Sequence, residues 1–202
     1  ESGAVFEPAR THFAVREAVA VFASVERAVR ARRQRPAGSF PVDRALAARI
    51  EARIPLPWTD DQRAAIDAIW RRLADPAAMG VLLQGDVGTG KTAVAIAAAL
   101  AVLAKGAVVA FLAPTELLAE QHHGTVSAWL RGSGVQVLLH TAGNKQANWP
   151  ASGPVLVFGT HALLTGELAL PRLGLVVVDE QHRFGVQQRM ALVQKGDNPH
   201  VL

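Results

Sequence analysis

The sequence predicts a doubly wound α/β domain, a parallel sheet between helical layers, with a helical segment ahead of it. Three observations predict it. Beyond residue 54, short Val- and Leu-rich runs alternate with longer stretches of helical periodicity. Those runs are almost continuously apolar instead of alternating, as expected of parallel strands covered on both faces. Finally, the octet Gly85-Asp86-Val87-Gly88-Thr89-Gly90-Lys91-Thr92 stands between one apolar run and a long Ala-rich stretch. It fits G-x-x-x-x-G-K-[ST] in full, in the strand-to-helix context that the pattern requires.

The first elements lie ahead of that domain. Val15, Val19, Phe22, Val25 and Val29 recur at helical spacing, so residues 9–33 read as one amphipathic helix. Its polar face ends in Arg30, Arg32, Arg33 and Arg35, and Pro36, Gly38 and Pro41 then break the chain. A short helix over 43–53 is stopped by Ile54-Pro55-Leu56-Pro57, which marks the domain boundary: 1–53 is a basic helical linker and 54–202 the α/β domain. Within that domain a helix is expected over 59–74 with Thr59 as its N-cap. Next come a strand over 80–84, a helix over 91–105, a strand over 107–113 and a helix over 116–131. Strands over 135–140, 155–158 and 173–178 complete the pattern, and nothing repeats internally.

Half of the 202 residues are apolar, enough for a substantial core. The chain has no cysteine, which excludes disulfides, thiolate metal sites and a cysteine nucleophile and fits a reducing compartment. The longest apolar run, Ala93–Ala104, has 12 residues, whereas a membrane-spanning helix needs about 20. A soluble, cytoplasmic protein with no membrane partner is expected. Glu1 is not an initiator methionine, and no cationic-then-apolar leader comes after it, so the sequence reads as a fragment. Its net charge of +4 lies wholly in residues 1–53, which hold ten arginines against six acids; the remainder is balanced.

The glycines of the octet let backbone N–H groups turn inward onto phosphate oxygens, and the helix N-terminus adds partial positive charge. Lys91 would reach the β- and γ-phosphates and Thr92 would ligate Mg²⁺. Leu175-Val176-Val177-Val178 leads into Asp179 and Glu180. At the carboxyl edge of a parallel sheet, beside a phosphate loop, the Asp is placed to hold Mg²⁺ and the Glu to polarise the attacking water. The residues thus read as a Mg²⁺-dependent nucleoside triphosphatase.

Residues 84–92 (QGDVGTGKT), 113–122 (APTELLAEQH), 159–163 (GTHAL) and 179–189 (DEQHRFGVQQR) resemble successive motifs of superfamily 2 helicases. The combination is most similar to the RecG-type ATP-dependent DNA helicases, densely over 54–202 and weakly over 9–35. The resemblance implies a RecA-like lobe that binds ATP and Mg²⁺, with Lys91 and Glu180 catalytic and Thr92 and Asp179 holding the metal. It makes Gln62, in Thr59-x-x-Gln62, the adenine reader. Trp58 either stacks on the base or plugs the domain edge. Pro114 and Thr115, with Gly159, Thr160 and His161, match loops that contact the nucleic-acid backbone; helix capping is the plainer role of the two threonines, and both roles can coexist. His182 matches a residue coupling the nucleotide site to the DNA track. His122 and His123 lack metal-ligand spacing and read as structural. The arginines of 27–35 are either a solvated helix end or a duplex-phosphate contact.

The resemblance further implies a parent enzyme, a monomer associated with the bacterial nucleoid, that tracks on duplex DNA without sequence specificity. That parent remodels branched DNA such as stalled forks and Holliday junctions during recombination and repair. The wedge domain and the second motor lobe are expected elsewhere in that parent. The second lobe supplies an arginine worth about 10³–10⁵ in rate, so the isolated lobe should bind ATP weakly and hydrolyse it barely. Residues 141–154 are shorter than the family's usual stretch there. A transcription–repair coupling translocase, a nucleotide-gated module without turnover and a basic arm on a structural domain are the competing readings.

Overall fold

A computed structural model of the chain describes residues 35–144, 150, 152–163, 168–180, 191 and 194–202. The expected helix over 9–33, the arginines from Arg27 to Arg33 and His182 lie outside the described residues, as does part of 141–154. The chain divides into compact units at Arg35/Pro36, and the sheet and both its cores belong to the second, Pro36–Leu202.

The elements of this unit are α1 (Arg44–Arg53), α2 (Asp60–Leu73), α3 (Lys91–Leu103), β1 (Val108–Leu112), α4 (Glu116–Trp129), β2 (Gln136–His140), β3 (Val155–Gly159), β4 (Leu173–Val178) and β5 (His200–Val201). A 3₁₀ turn, His161–Leu163, comes after β3. The five strands form one sheet in the order β2-β3-β1-β4-β5, and every pairing is parallel. This is the predicted doubly wound fold, and helix and strand limits agree with expectation to within a residue or two at most ends.

Local chemistry explains the helix starts. Asp43, Thr59 and Thr115 each accept the N–H three residues on, capping α1, α2 and α4. At α2 the cap is reciprocal: Gln62 Oε1 accepts the Thr59 N–H at 3.0 Å while Gln62 N–H donates to Thr59 Oγ1. Helix α3 differs, being buried on all sides from Ala93 to Leu103. Its alanines let α2 and the sheet approach closely, and Trp70 Nε1 on α2 donates to the Ala97 carbonyl at 3.2 Å.

The pleat sorts the strand residues onto two faces. Val109, Phe111, Leu156, Phe158, Leu175 and Val177 pack with the helices in one core. Val108, Ala110, Leu112, Val155, Val157 and Val176 form the other, with Leu163 and Leu170. A register shift between Val108 and Val109 leaves Gly174 as an extra residue in β4, a bulge that lets Phe40 and Val102 press against the strand.

Three features differ from the sequence expectation, the first being the short strand β5, which no apolar run marked. Residues 80–84 do not form a ladder strand: Gly80 bridges Val201, and Val81 N–H donates to the Val201 carbonyl. The unit boundary also lies upstream of the Ile54–Pro57 segment. Phe40, Ile50 and Ile54 are buried in the same core as α2 and α3, so α1 belongs with the sheet and not with a separate linker.

Candidate active site

In a parallel sheet all carboxyl ends open on one edge, and the topology gathers the chemistry-bearing loops there. Gly85, Lys91 and Thr92 share a cleft of about 480 Å³ with Asp179, Glu180 and the exposed Leu82. Val87, at the loop tip, is 99% exposed, so nothing in the core fixes it and the loop is shaped by its backbone.

That loop is internally bonded. The Asp86 carbonyl accepts from Thr89 Oγ1 at 2.8 Å and from Lys91 Nζ at 2.7 Å, and Lys91 Nζ also donates to the Gly85 carbonyl at 2.7 Å. Gly90 caps α3 in the left-handed conformation, φ 79°, with no side-chain cap. The first N–H groups of α3 therefore keep their hydrogen-bonding capacity for an anion, unlike those of α1, α2 and α4. Phosphate with a divalent cation fits this donor set: uncapped N–H groups and an ammonium on one side, a hydroxyl and a carboxylate on the other.

Gln62 closes the loop from outside. Its Nε2 donates to the Thr89 carbonyl at 2.9 Å, and with Oε1 on Thr59 both ends of its amide are engaged by the protein. Each end keeps capacity for a base, since Nε2 has a second hydrogen and Oε1 a second lone pair. A Cβ on Gly90 would come 2.5 Å from that Nε2 in a backbone conformation that L-residues resist. Gly90→Ala is expected to cost about 1–3 kcal/mol and to release Gln62 from the loop; urea denaturation of the chain measures it, and an unchanged midpoint would refute this account.

Asp179 comes directly after β4, its N–H donating to the Leu112 carbonyl at 2.9 Å. Glu180 is next at φ 51°, a costly conformation for a residue with a Cβ, held at the lip of the cleft. His122, on α4, meets Asp179 directly: its Nε2 lies 3.0 Å from Oδ2. Spacing alone assigned His122 a structural role only. The available signal was helical periodicity, since Ala119, His122 and Val126 share the face of α4 that packs on the sheet. His123 fits the structural reading, with Nε2 3.4 Å from the Val137 carbonyl.

The loops over β1 and β3 sit side by side on the same edge, the Ala113 N–H donating to the Gly159 carbonyl at 2.8 Å. Thr115 Oγ1 accepts the Leu118 N–H, so its capping role is realised. The Thr160 carbonyl accepts the Leu163 N–H, and His161 is exposed. Trp58 is half-buried against the helical core, with its indole N–H unpartnered among the described residues.

A parallel sheet with flanking helices and a G-x-x-x-x-G-K-T loop at its edge is a P-loop architecture, and the chain belongs to the DEAD/DEAH box helicase family, which it matches over residues 59–196. Its relatives narrow that class. It is 44% identical over 156 residues to the ATP-dependent DNA helicase RecG of Synechocystis sp., a match covering 74% of this chain and 19% of that protein. To RecG of Escherichia coli (strain K12) it is 43% identical over 162 residues, covering 75% and 23%. A solved structure of RecG bound to a three-way DNA junction aligns with 86% of this chain and 24% of its own, at TM-score 0.67 and 28% identity. The chain thus spans only about a fifth to a quarter of the length of these relatives.

Proposed function

We propose that this chain is the first, ATP-binding motor lobe of a DNA-translocating ATPase that remodels branched DNA in recombination and repair. The observation that carries the reading is the shared edge. Phosphate loop and acid pair line one cleft, and the loops at Pro114–Thr115 and Gly159–His161 stand beside it on neighbouring strand ends. The three-way junction bound in the RecG structure supports the choice of DNA.

Lys91 exchanges its two loop carbonyls for β- and γ-phosphate oxygens, while the uncapped N–H groups at the start of α3 take the remaining oxygens. Thr92 and Asp179 hold Mg²⁺, which when bound neutralises charge on the transferred phosphate. Glu180 accepts a proton from the attacking water. Gln62 contacts adenine through the second Nε2 hydrogen and the second Oε1 lone pair of its amide. The small residues and capped helix start at Thr115, with Gly159, Thr160 and His161, contact DNA phosphates without reading sequence. His182 couples the two sites. The parent acts in the cytoplasm as a monomer.

The test is phosphate release by the parent protein with ATP and Mg²⁺ on forked and linear duplex DNA, with Glu180→Gln as the control for contaminating ATPases. Stronger stimulation by forks is the expected result. Equal stimulation would point to a plain duplex translocase, and no DNA-dependent turnover would overturn the motor reading.

A further inference from the structure

His122 and Asp179 are 57 positions apart, and the fold brings Nε2 to 3.0 Å from Oδ2. The imidazole is deeply set, with its side chain 16% exposed. It is fixed from several sides. Buried Ala119 and Val126 flank it on α4, and the rings of Phe111 and Phe158 lie at centroid distances of 5.2 and 6.2 Å. These neighbours are hydrocarbon, so they hold the ring without competing for its Nε2. An ionised carboxylate can only accept, so Nε2 carries the hydrogen and donates it.

The acid is held as well. The Asp179 N–H donates to the Leu112 carbonyl, which anchors its backbone at the end of β4 beside β1. With the backbone fixed there and Oδ2 occupied by His122, the carboxylate has one settled orientation on the cleft that it lines with Lys91, Thr92 and Glu180. Without the imidazole donor, rotation about the Asp side-chain bonds would interchange the two oxygens. Carboxylates that hold metals are commonly oriented by such an outer hydrogen bond.

We propose that His122 is a positioning residue for the carboxylate of Asp179: its Nε2–H holds Oδ2 so that the other oxygen is presented to the divalent cation bound with the nucleotide. His122 acts through Asp179 and touches neither cation nor nucleotide. The proposal rests on the reading of Asp179 as the metal-holding acid.

Binding of Mn²⁺ to the full chain, in the presence of a non-hydrolysable ATP analogue, tests it without recourse to activity. Free Mn²⁺ is read by electron paramagnetic resonance. His122→Phe keeps a ring between Phe111 and Phe158 and lacks the donor, and His122→Leu is a second donor-free variant should the first unfold. His122→Gln gives up the ring and keeps a side-chain N–H of similar reach. The donor-free variants are expected to weaken Mn²⁺ binding about 10- to 100-fold, and His122→Gln to restore most of the affinity. A residue that merely fills space predicts the reverse, with Phe or Leu tolerated and Gln defective; that order overturns the proposal.

Asp179→Asn separates the positioning role from the metal site itself. If it abolishes Mn²⁺ binding while His122→Phe and His122→Leu bind like the unaltered chain, the positioning role falls and the metal reading stands. If Asp179→Asn itself leaves Mn²⁺ affinity unchanged, the metal reading falls and the role of His122 with it.

Discussion

Lys91→Ala is expected to weaken nucleotide binding to this chain by at least about 30-fold, the low end for stripping one partner from a desolvated charge pair. Among the described residues the cleft lining includes one ammonium, and Lys91 already reaches two loop carbonyls at 2.7 Å each, so no other lining residue supplies an equivalent charge. Glu180→Gln should behave differently. It keeps the side-chain shape at the lip and removes the base, so nucleotide stays bound while DNA-stimulated phosphate release by the parent protein falls about 10²- to 10⁴-fold. Titration calorimetry with an ATP analogue on the chain, paired with phosphate release by the parent, separates the two variants. Equal affinity of Lys91→Ala and the unaltered chain would sink the phosphate-loop assignment.

The second large effect concerns Gly159. A Cβ there would fall well inside van der Waals contact of the His140 carbonyl oxygen on β2 and 2.7 Å from Leu163 Cγ. Neither neighbour can give way easily: one is backbone of a paired strand, and the other is fully buried. Gly159→Ala should therefore destabilise the unit by about 3 kcal/mol, at the upper end for overpacking, and lower the melting temperature by roughly 10 °C. Thermal unfolding of the chain without DNA measures this. A shift of less than a degree would mean that the glycine is not required by strand packing, leaving DNA contact as its remaining explanation. The sequence offered only that second explanation, because the motif around Gly159 resembles a nucleic-acid loop. The packing demand comes from β2 and the 3₁₀ turn, which no spacing within the motif reveals.

Much of the fold was legible because its signals are local. The caps at Asp43, Thr59 and Thr115 act over three residues, and the apolar runs of β1, β3 and β4 declare strands buried on both faces. Residues 80–84 looked like another such strand. They meet β5 only at the Gly80–Val201 bridge, and a ladder depends on what lies alongside, which the run itself does not encode. The Ile54–Pro57 segment looked like a boundary for a similar reason. Proline predicts a break in the helix, whereas domain membership depends on where Phe40, Ile50 and Ile54 are buried.

By itself the sequence determined the glycine-rich loop, its helix, the acid pair after β4 and the order of elements. Each is encoded by neighbours along the chain, through backbone conformation, capping and the periodicity of apolar residues. The tertiary structure alone decided that Gln62 braces Thr89, that His122 holds Asp179, and that the loops over β1 and β3 share an edge with the cleft. These are contacts between residues 27 to 57 positions apart in the first two cases. They exist because parallel crossovers return each strand to the same edge, and no residue announces beforehand which strand will lie beside its own.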